Sequence, residues 1–143
     1  GCEDPGEAEL GPERLWQIEE KGAGSKKTVY LRLDSEGNDG ESKDQLTIKC
    51  GAKKKLDAYI ATTTRLKKGP LVVSVDGKKA RWQTKLSKSK KAAFLKNAKK
   101  DLKALLGKDK LVVTLPAKGK PQRVFPVGGI EAALRSHKKV CGI

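Results

Sequence analysis

The chain has 143 residues, enough for one domain with its own hydrophobic core. No apolar stretch in it approaches the roughly 18 residues of a membrane-spanning helix. Its net charge of +15 is unevenly spread: residues 1–44 hold 12 acidic and 6 basic side chains, net −6, and residues 45–143 hold 5 and 26, net +21. This asymmetry predicts an acidic partner or internal charge matching.

The first 13 residues are rich in Gly, Pro and Glu, and we expect them to form a flexible leader or tether. A single β-rich domain is expected over residues 14–143. Cys2 lies in this leader, preceded by Gly1 and followed by acidic residues, a context similar to the lipidation site of a bacterial lipoprotein. A free thiol or a residue left by cloning explains Cys2 equally well.

Short runs in which apolar and polar residues alternate predict strands. In the clearest run Val29, Leu31 and Leu33 share one face, and Asp76-Gly77 is the strongest hairpin-turn signal. The predicted strands are, in chain order, 15–18, 28–34, 45–50, 56–61, 70–75, 79–86, 111–115 and 123–127.

The spacing of apolar residues changes from every second residue to helical spacing after the predicted strand 79–86. A stripe of apolar residues at helical spacing predicts one inserted helix over about 90–106. The stripe consists of Phe94, Leu95, Ala98, Leu102, Leu105 and Leu106. A C-terminal helix is expected over about 129–138. Short strands with two helices predict a mainly β (α+β) domain, an antiparallel β-sandwich of about seven to nine strands.

The cysteines offer one pairing between distant elements. Cys50 ends a predicted strand on its apolar face, and Cys141 follows the predicted terminal helix. A disulfide between them would close a loop of about 90 residues and stabilise the fold by about 4–5 kcal/mol. It would also indicate an oxidising compartment. The alternative is two buried, reduced thiols.

The sequence offers no assembled catalytic set. His137, the single histidine, lies at a predicted helix end, where a cationic residue is stabilising. There is no nucleophile elbow, no phosphate-binding loop and no cysteine spacing typical of zinc sites. We therefore expect a protein that is not an enzyme and has no catalytic residues, no metal site and no cofactor.

The carboxylates are expected to be solvated. Asp101 is surrounded in sequence by lysines of the predicted helix, which predicts surface ion pairs. A group of polar residues near position 40 lacks the spacing of a calcium-binding loop, so we expect a solvated acidic loop there. The group is Asp34, Asn38, Asp39 and Asp44.

Basic residues are the strongest signal, concentrated between positions 78 and 110. They predict a ridge that binds a polyanion: nucleic acid, lipopolysaccharide or anionic lipid. The candidate residues are Lys78, Lys79, Arg81, Lys90, Lys91, Lys99, Lys100 and Lys103. Because they are mostly lysines with few aromatics nearby, we do not expect sequence-specific nucleic-acid recognition. The alternative is a solvated surface that keeps the protein soluble.

A further pattern spans roughly residues 16–141. Its clearest parts are Thr-Val-Tyr-Leu-Arg-Leu-Asp-Ser at 28–35, Leu-Thr-Ile-Lys-Cys at 46–50 and Val-Phe-Pro-Val-Gly-Gly-Ile-Glu-Ala-Ala-Leu at 124–134. This pattern resembles the small exported accessory proteins of bacterial type VI secretion loci called VasI or TagO. The lysine content and the short leader depart from that family's pattern.

The resemblance implies a Cys50–Cys141 pair, core positions for Trp16, Trp82 and Phe125, and no catalytic residue. The leading functional interpretation is a non-enzymatic binding or accessory protein of the bacterial envelope. We expect it to be periplasmic or anchored to the outer membrane, with Cys2 as the tether. We also expect a link to a secretion system and a partner that is either an envelope protein or an acidic molecule. The alternative is a polyanion-binding protein that acts through the lysine-rich surface.

Overall fold

The computed structural model describes residues 15–36 and 44–143. The expected leader and Cys2 lie outside them. The strands are β1 Gln17–Lys21, β2 Thr28–Asp34, β3 Gln45–Gly51, β4 Lys55–Ala61, β5 Leu71–Val75, β6 Lys78–Trp82, β7 Thr84–Leu86, β8 Ala92–Leu95, β9 Leu111–Thr114 and β10 Gln122–Phe125. The α-helices are α1 Ala98–Lys103, α2 Ile130–Arg135 and α3 Lys138–Cys141. No helix in the described ranges is long and apolar enough to cross a membrane.

The strands form two antiparallel sheets. One has the order β1-β2-β3-β4-β8-β7 and the other β10-β9-β5-β6. The sheets meet at two seams. At one, the chain passes from β6 to β7 through Gln83. At the other, Glu36 N donates to Val124 O over 2.9 Å, which ties the end of β2 to β10.

The core lies between the sheets and follows from the alternation in the sequence. In β2 the side chains of Val29, Leu31 and Leu33 are buried and the residues between them are half-buried. The same period-2 pattern recurs in β5 and β9, so each of these strands gives one face to the core. Strand β3 also buries Leu46, Ile48 and Cys50, together with Thr47 on its other face. Phe125 and the two tryptophans are also buried, as the family resemblance implies.

The mainly β, sandwich-like α+β fold is confirmed, but the inserted helix is shorter than expected. Helix α1 has six residues, and Ala92–Leu95, expected to be helical, forms β8. In β8 the side chains of Ala93 and Leu95 are buried and Phe94 is exposed, while the backbone pairs with β4 on one side and β7 on the other. This pairing outweighs the local helical spacing.

Two other expected elements are each divided. The strand expected over 79–86 breaks at Gln83, and its halves, β6 and β7, join different sheets. The terminal helix is divided into α2 and α3, because His137 has the non-helical angles φ −125° and ψ 32°. Ser136 Oγ donates to Ala132 O four residues earlier, a bond that competes with regular helix geometry.

A disulfide joins Cys50 of β3 to Cys141 of α3, with the sulfur atoms 2.10 Å and the Cα atoms 4.7 Å apart. Both cysteines are buried. The bond crosses 91 positions of sequence and fixes the last helix against the six-stranded sheet. The predicted Cys50–Cys141 pair is therefore present in this structure, and the alternative of two reduced thiols is not.

The acidic loop is not uniformly solvated, and the expectation was wrong for Asp44, which is 1% exposed. Its carboxylate accepts a hydrogen bond from Arg123 Nε at 2.7 Å and a longer one from Thr63 N at 3.4 Å. A buried charge needs such partners. Asp34 accepts from Gln45 Nε2 at 3.0 Å. The other two residues of the group, Asn38 and Asp39, lie outside the described residues.

Asp101 is also buried, contrary to the surface ion pairs expected from its lysine neighbours. It lies on the face of α1 that carries Ala98 and Leu102, since positions three and four apart share a helix face. Its Oδ2 atom is buried without a hydrogen-bond partner. This burial raises the pKa of the carboxyl above its ordinary 3.8, although nearby Lys100 acts in the opposite direction.

We therefore expect Asp101→Asn to stabilise the protein at neutral pH. Replacing a partly desolvated charge by a neutral amide should raise the unfolding midpoint at pH 7 by about 2–4 °C, the effect of roughly 1 kcal/mol in a domain of this size. Because burial raises the pKa of folded Asp101, its destabilising effect is full above that pKa and fades as the pH falls towards 3.8. Thermal unfolding between pH 4 and 8 measures this.

The exposed Asp109→Asn provides the matched control, because it removes the same charge without relieving burial. A midpoint for Asp101→Asn at pH 7 that is unchanged or lower than that of wild type would contradict this account of Asp101. So would a gain that stays constant across the pH range.

Candidate polyanion-binding cleft

The segment 62–70, between β4 and β5, contributes most to a basic surface. The side chain of Leu66, within this segment, is buried and anchors the segment to the core. Leu66 N donates to Lys90 O at 2.7 Å, and Lys67 N donates to Pro116 O at 2.6 Å. These bonds hold the segment against the loop before β8 and the turn after β9, so residues distant in sequence meet at one surface.

Two adjoining hollows of about 530 and 580 Å³ lie on this surface and share Lys68 and Leu86. We call them together the basic cleft. Thr84 Oγ1 donates to Gly69 O at 3.0 Å and thereby fixes segment 62–70 beside β7. The cleft is lined by Arg65, Leu66, Lys67, Lys68, Gly69, Pro70, Gln83, Thr84, Lys85, Leu86, Lys90, Lys96 and Lys118.

The charged residues of the described ranges that line the basic cleft are all cations. Seven of its lining residues are Lys or Arg, and no Asp or Glu of the described ranges lines it. Cations at this density repel one another, and a bound polyanion would relieve that repulsion. Lys90 is also held in the left-handed region, with φ 62°, which costs a non-glycine residue roughly 1–2 kcal/mol. The arrangement is suited to binding negatively charged groups.

The structure separates the residues predicted to form one lysine ridge. Lys90 lines the basic cleft, whereas Lys78 and Lys103 line a second cleft of about 500 Å³ between β6 and α1. Lys79 and Arg81 alternate with Lys78 on β6 and so point to the opposite face of that strand. The remaining candidates are exposed and line none of these clefts: Lys91, Lys99 and Lys100.

Lys90 and Lys91 are not helical, contrary to expectation, because the polypeptide turns there before entering β8. Lys99, Lys100 and Lys103 do lie on α1. The ridge is thus not a continuous helical face. Its residues occupy a loop, a helix and both faces of one strand.

Four cations of the basic cleft lie outside the lysine-rich stretch on which the sequence prediction relied: Arg65, Lys67, Lys68 and Lys118. The sequence carries one local signal for them, Arg-Leu-Lys-Lys-Gly-Pro at 65–70, where one apolar residue is enclosed by cations before a turn. The approach of residue 118 to this segment depends on the tertiary fold and leaves no signal in the sequence.

The second cleft is less suited to a polyanion, because Asp76 lines it beside Lys78, Lys103 and Lys108. The Asp76 carboxylate accepts hydrogen bonds from Lys110 N at 2.8 Å and from Asp109 N at 3.2 Å. Asp76 therefore fixes the start of β9, a structural role.

Aromatic side chains lie on the outer face of the six-stranded sheet. The rings of Tyr59 and Phe94 are 4.8 Å apart, and Arg32 lies 4.7 Å from the ring centroid of Tyr30. The contact between Tyr59 of β4 and Phe94 of β8 could not be predicted from the sequence. None of these aromatic rings lines the basic cleft.

His137 is held by the backbone. Its Nδ1 donates to Ala133 O at 3.1 Å, and its Nε2 lies 3.8 Å from a carboxylate oxygen of Glu20. His137 is mostly buried and does not line the basic cleft. In the described ranges no group of three or more His, Cys, Asp or Glu side chains could hold a metal ion.

The fold is similar to that of a protein of known structure. A crystal structure of invasion associated protein B from Bartonella henselae matches with a TM-score of 0.56 and 19% sequence identity, over 85% of this chain and 89% of that chain. No protein-family model matches the chain, and no curated protein matches it. At this identity the likeness shows a shared fold.

Proposed function

We propose that this protein is a non-enzymatic binding protein of the bacterial envelope that binds polyanions through the basic cleft. The observation that carries the proposal is the convergence of seven cations on one cleft whose described lining contains no carboxylate. The other polar side chains of the lining are Gln83 and Thr84, and neither is a general acid or base at neutral pH.

Three observations support export and a place in the envelope. The Cys50–Cys141 disulfide is typical of proteins that fold in oxidising compartments. The similar fold belongs to a bacterial protein named for invasion. The resemblance to the VasI and TagO proteins supports an accessory role beside a secretion system. The proposed location is periplasmic or at the outer membrane, with Cys2 as the proposed tether.

The test is the salt dependence of binding to long-chain inorganic polyphosphate, which carries phosphates without bases, sugars or lipid. Each phosphate neutralised on a flexible polyanion contributes a slope of about −0.7 to log affinity against log salt. Four to seven engaged cations should give a slope of about −3 to −5, a roughly 50- to 1000-fold loss between about 50 and 200 mM salt. Absence of binding at low salt, or an affinity that barely responds to salt, would contradict the proposal.

A further inference from the structure

The lining of the basic cleft is amphipathic. Leu86, in the shared part of the cleft, and Pro70 are half-buried and line the cleft together with the cations. Long lysine side chains cover such apolar surface with their methylene groups and extend the ammonium groups into the polar region. A ligand that fits this lining carries negative charges next to apolar groups.

The kind of cation also constrains the ligand. Six of the seven cations are lysines, which act as mobile point charges without the fixed fork that arginine offers a single phosphate. No aromatic side chain of the described residues lines the cleft, although stacking on aromatic rings contributes much of the affinity for single-stranded nucleic acid. The composition favours many loosely ordered phosphates over a stacked, base-bearing strand.

The position of the cations allows contact with an extended surface. Lys67, Lys68 and Lys118 are all exposed, and the backbone bonds of segment 62–70 hold their loops together. Lys90 belongs to the same set, from the loop before β8. Several loops therefore present cations side by side, as a polybasic surface presents them to anionic headgroups.

We propose that the polyanion bound at the basic cleft is a surface of anionic phospholipids, which the protein approaches with segment 62–70 and the loops around Lys90 and Lys118. This inference rests on the proposed function and names its ligand class. Binding is peripheral: the lysines contact headgroup phosphates, and no helix of the described ranges is suited to crossing the bilayer.

The experiment is co-sedimentation with vesicles of phosphatidylglycerol and phosphatidylcholine, compared with pure phosphatidylcholine vesicles. The cleft change is the triple substitution Lys67→Gln, Lys68→Gln and Lys118→Gln. Each cation near an anionic surface is worth roughly a fivefold change in affinity, so we expect about 100-fold weaker binding. A matched triple substitution at exposed sites outside the cleft is Lys79→Gln, Lys99→Gln and Lys100→Gln, which should bind within a few-fold of wild type.

The Lys90→Gly variant controls for loss of binding through misfolding. It removes the cation, and glycine adopts the observed φ of 62° without strain. It should retain or raise the unfolding midpoint and bind anionic vesicles roughly fivefold more weakly. Unchanged vesicle binding by both the triple cleft variant and Lys90→Gly would overturn the inference.

Two further ligands separate this inference from the proposed function. If wild type binds polyphosphate or a single-stranded oligonucleotide but not anionic vesicles, the lipid assignment is wrong and the polyanion-binding function stands. If it binds none of the three at low salt, both are wrong. Equal binding to phosphatidylcholine vesicles with and without phosphatidylglycerol would also overturn the lipid assignment, because charge would then not decide binding.

Discussion

Reversing three charges of the basic cleft, with Lys67→Glu, Lys68→Glu and Lys118→Glu, is expected to weaken polyphosphate binding by well over 100-fold at low salt. Removing three cations costs roughly 3 kcal/mol near an anionic ligand, and the added carboxylates repel it further. The three side chains are exposed, so the unfolding midpoint should change by no more than a few degrees. Titration by fluorescence anisotropy measures the affinity.

The matched control is Lys79→Glu, Lys99→Glu and Lys100→Glu. It lowers the net charge by the same six units, from +15 to +9, at exposed sites that line neither cleft. If binding depends on total charge alone, the two variants should lose affinity equally. We expect the control to lose less than about tenfold, since distant charges are screened over about 10 Å. Equal losses would contradict a localised site.

Loss of the Cys50–Cys141 disulfide should have the largest effect on stability. Closing a loop across 91 positions stabilises a protein by about 4–5 kcal/mol in the chain-entropy model. That is a large part of the total stability of a typical domain, about 5–15 kcal/mol. We expect Cys50→Ala with Cys141→Ala to lower the unfolding midpoint by roughly 10–20 °C.

Wild type in a phosphine reductant controls for the cavity that alanine creates, because it breaks the bond and keeps both sulfur atoms. Both treatments should release α3 from the six-stranded sheet first, which hydrogen exchange of residues 138–143 would report. An unfolding midpoint of wild type that is unchanged by complete reduction would show that the bond contributes little to stability.

Much of the β framework could be predicted because strands such as β2, β5 and β9 bury one face. Strand β1, in which all five residues are exposed, is an exception. The alternation of Val29, Leu31 and Leu33 matches a half-buried strand and no helix, and β2 has the predicted limits. The segment 92–95 was misassigned because Ala-Ala-Phe-Leu is too short to separate the two periods. Residues 92–95 form a strand because their backbone pairs with β4, an interaction that the local sequence does not reveal.

The basic cleft illustrates why a charged surface is harder to predict than a core. The sequence identified an excess of lysines, but their grouping depends on which loops meet. Lys90 and Lys118 lie in different loops and line the same hollow, whereas Lys78 and Lys79 are adjacent in sequence and point to opposite faces of β6. The burial of Asp44 was missed for the same reason, since its partner Arg123 is distant in sequence. The burial of Asp101 follows from its position three residues after Ala98, a helical spacing that the neighbouring lysines obscured in the sequence.

Lysine acetylation footprinting tests the central claim most directly, because it reads the binding surface of the unmodified wild-type protein. Acetylation rates are measured by mass spectrometry with and without saturating polyphosphate at low salt. We expect the lysines of the basic cleft to be protected several-fold and the exposed lysines elsewhere to react as in the free protein. The first group is Lys67, Lys68, Lys85, Lys90, Lys96 and Lys118, and the second is Lys79, Lys99 and Lys100. Protection of the second group with full reactivity of the first, or equal protection of both, would contradict a binding site at the basic cleft.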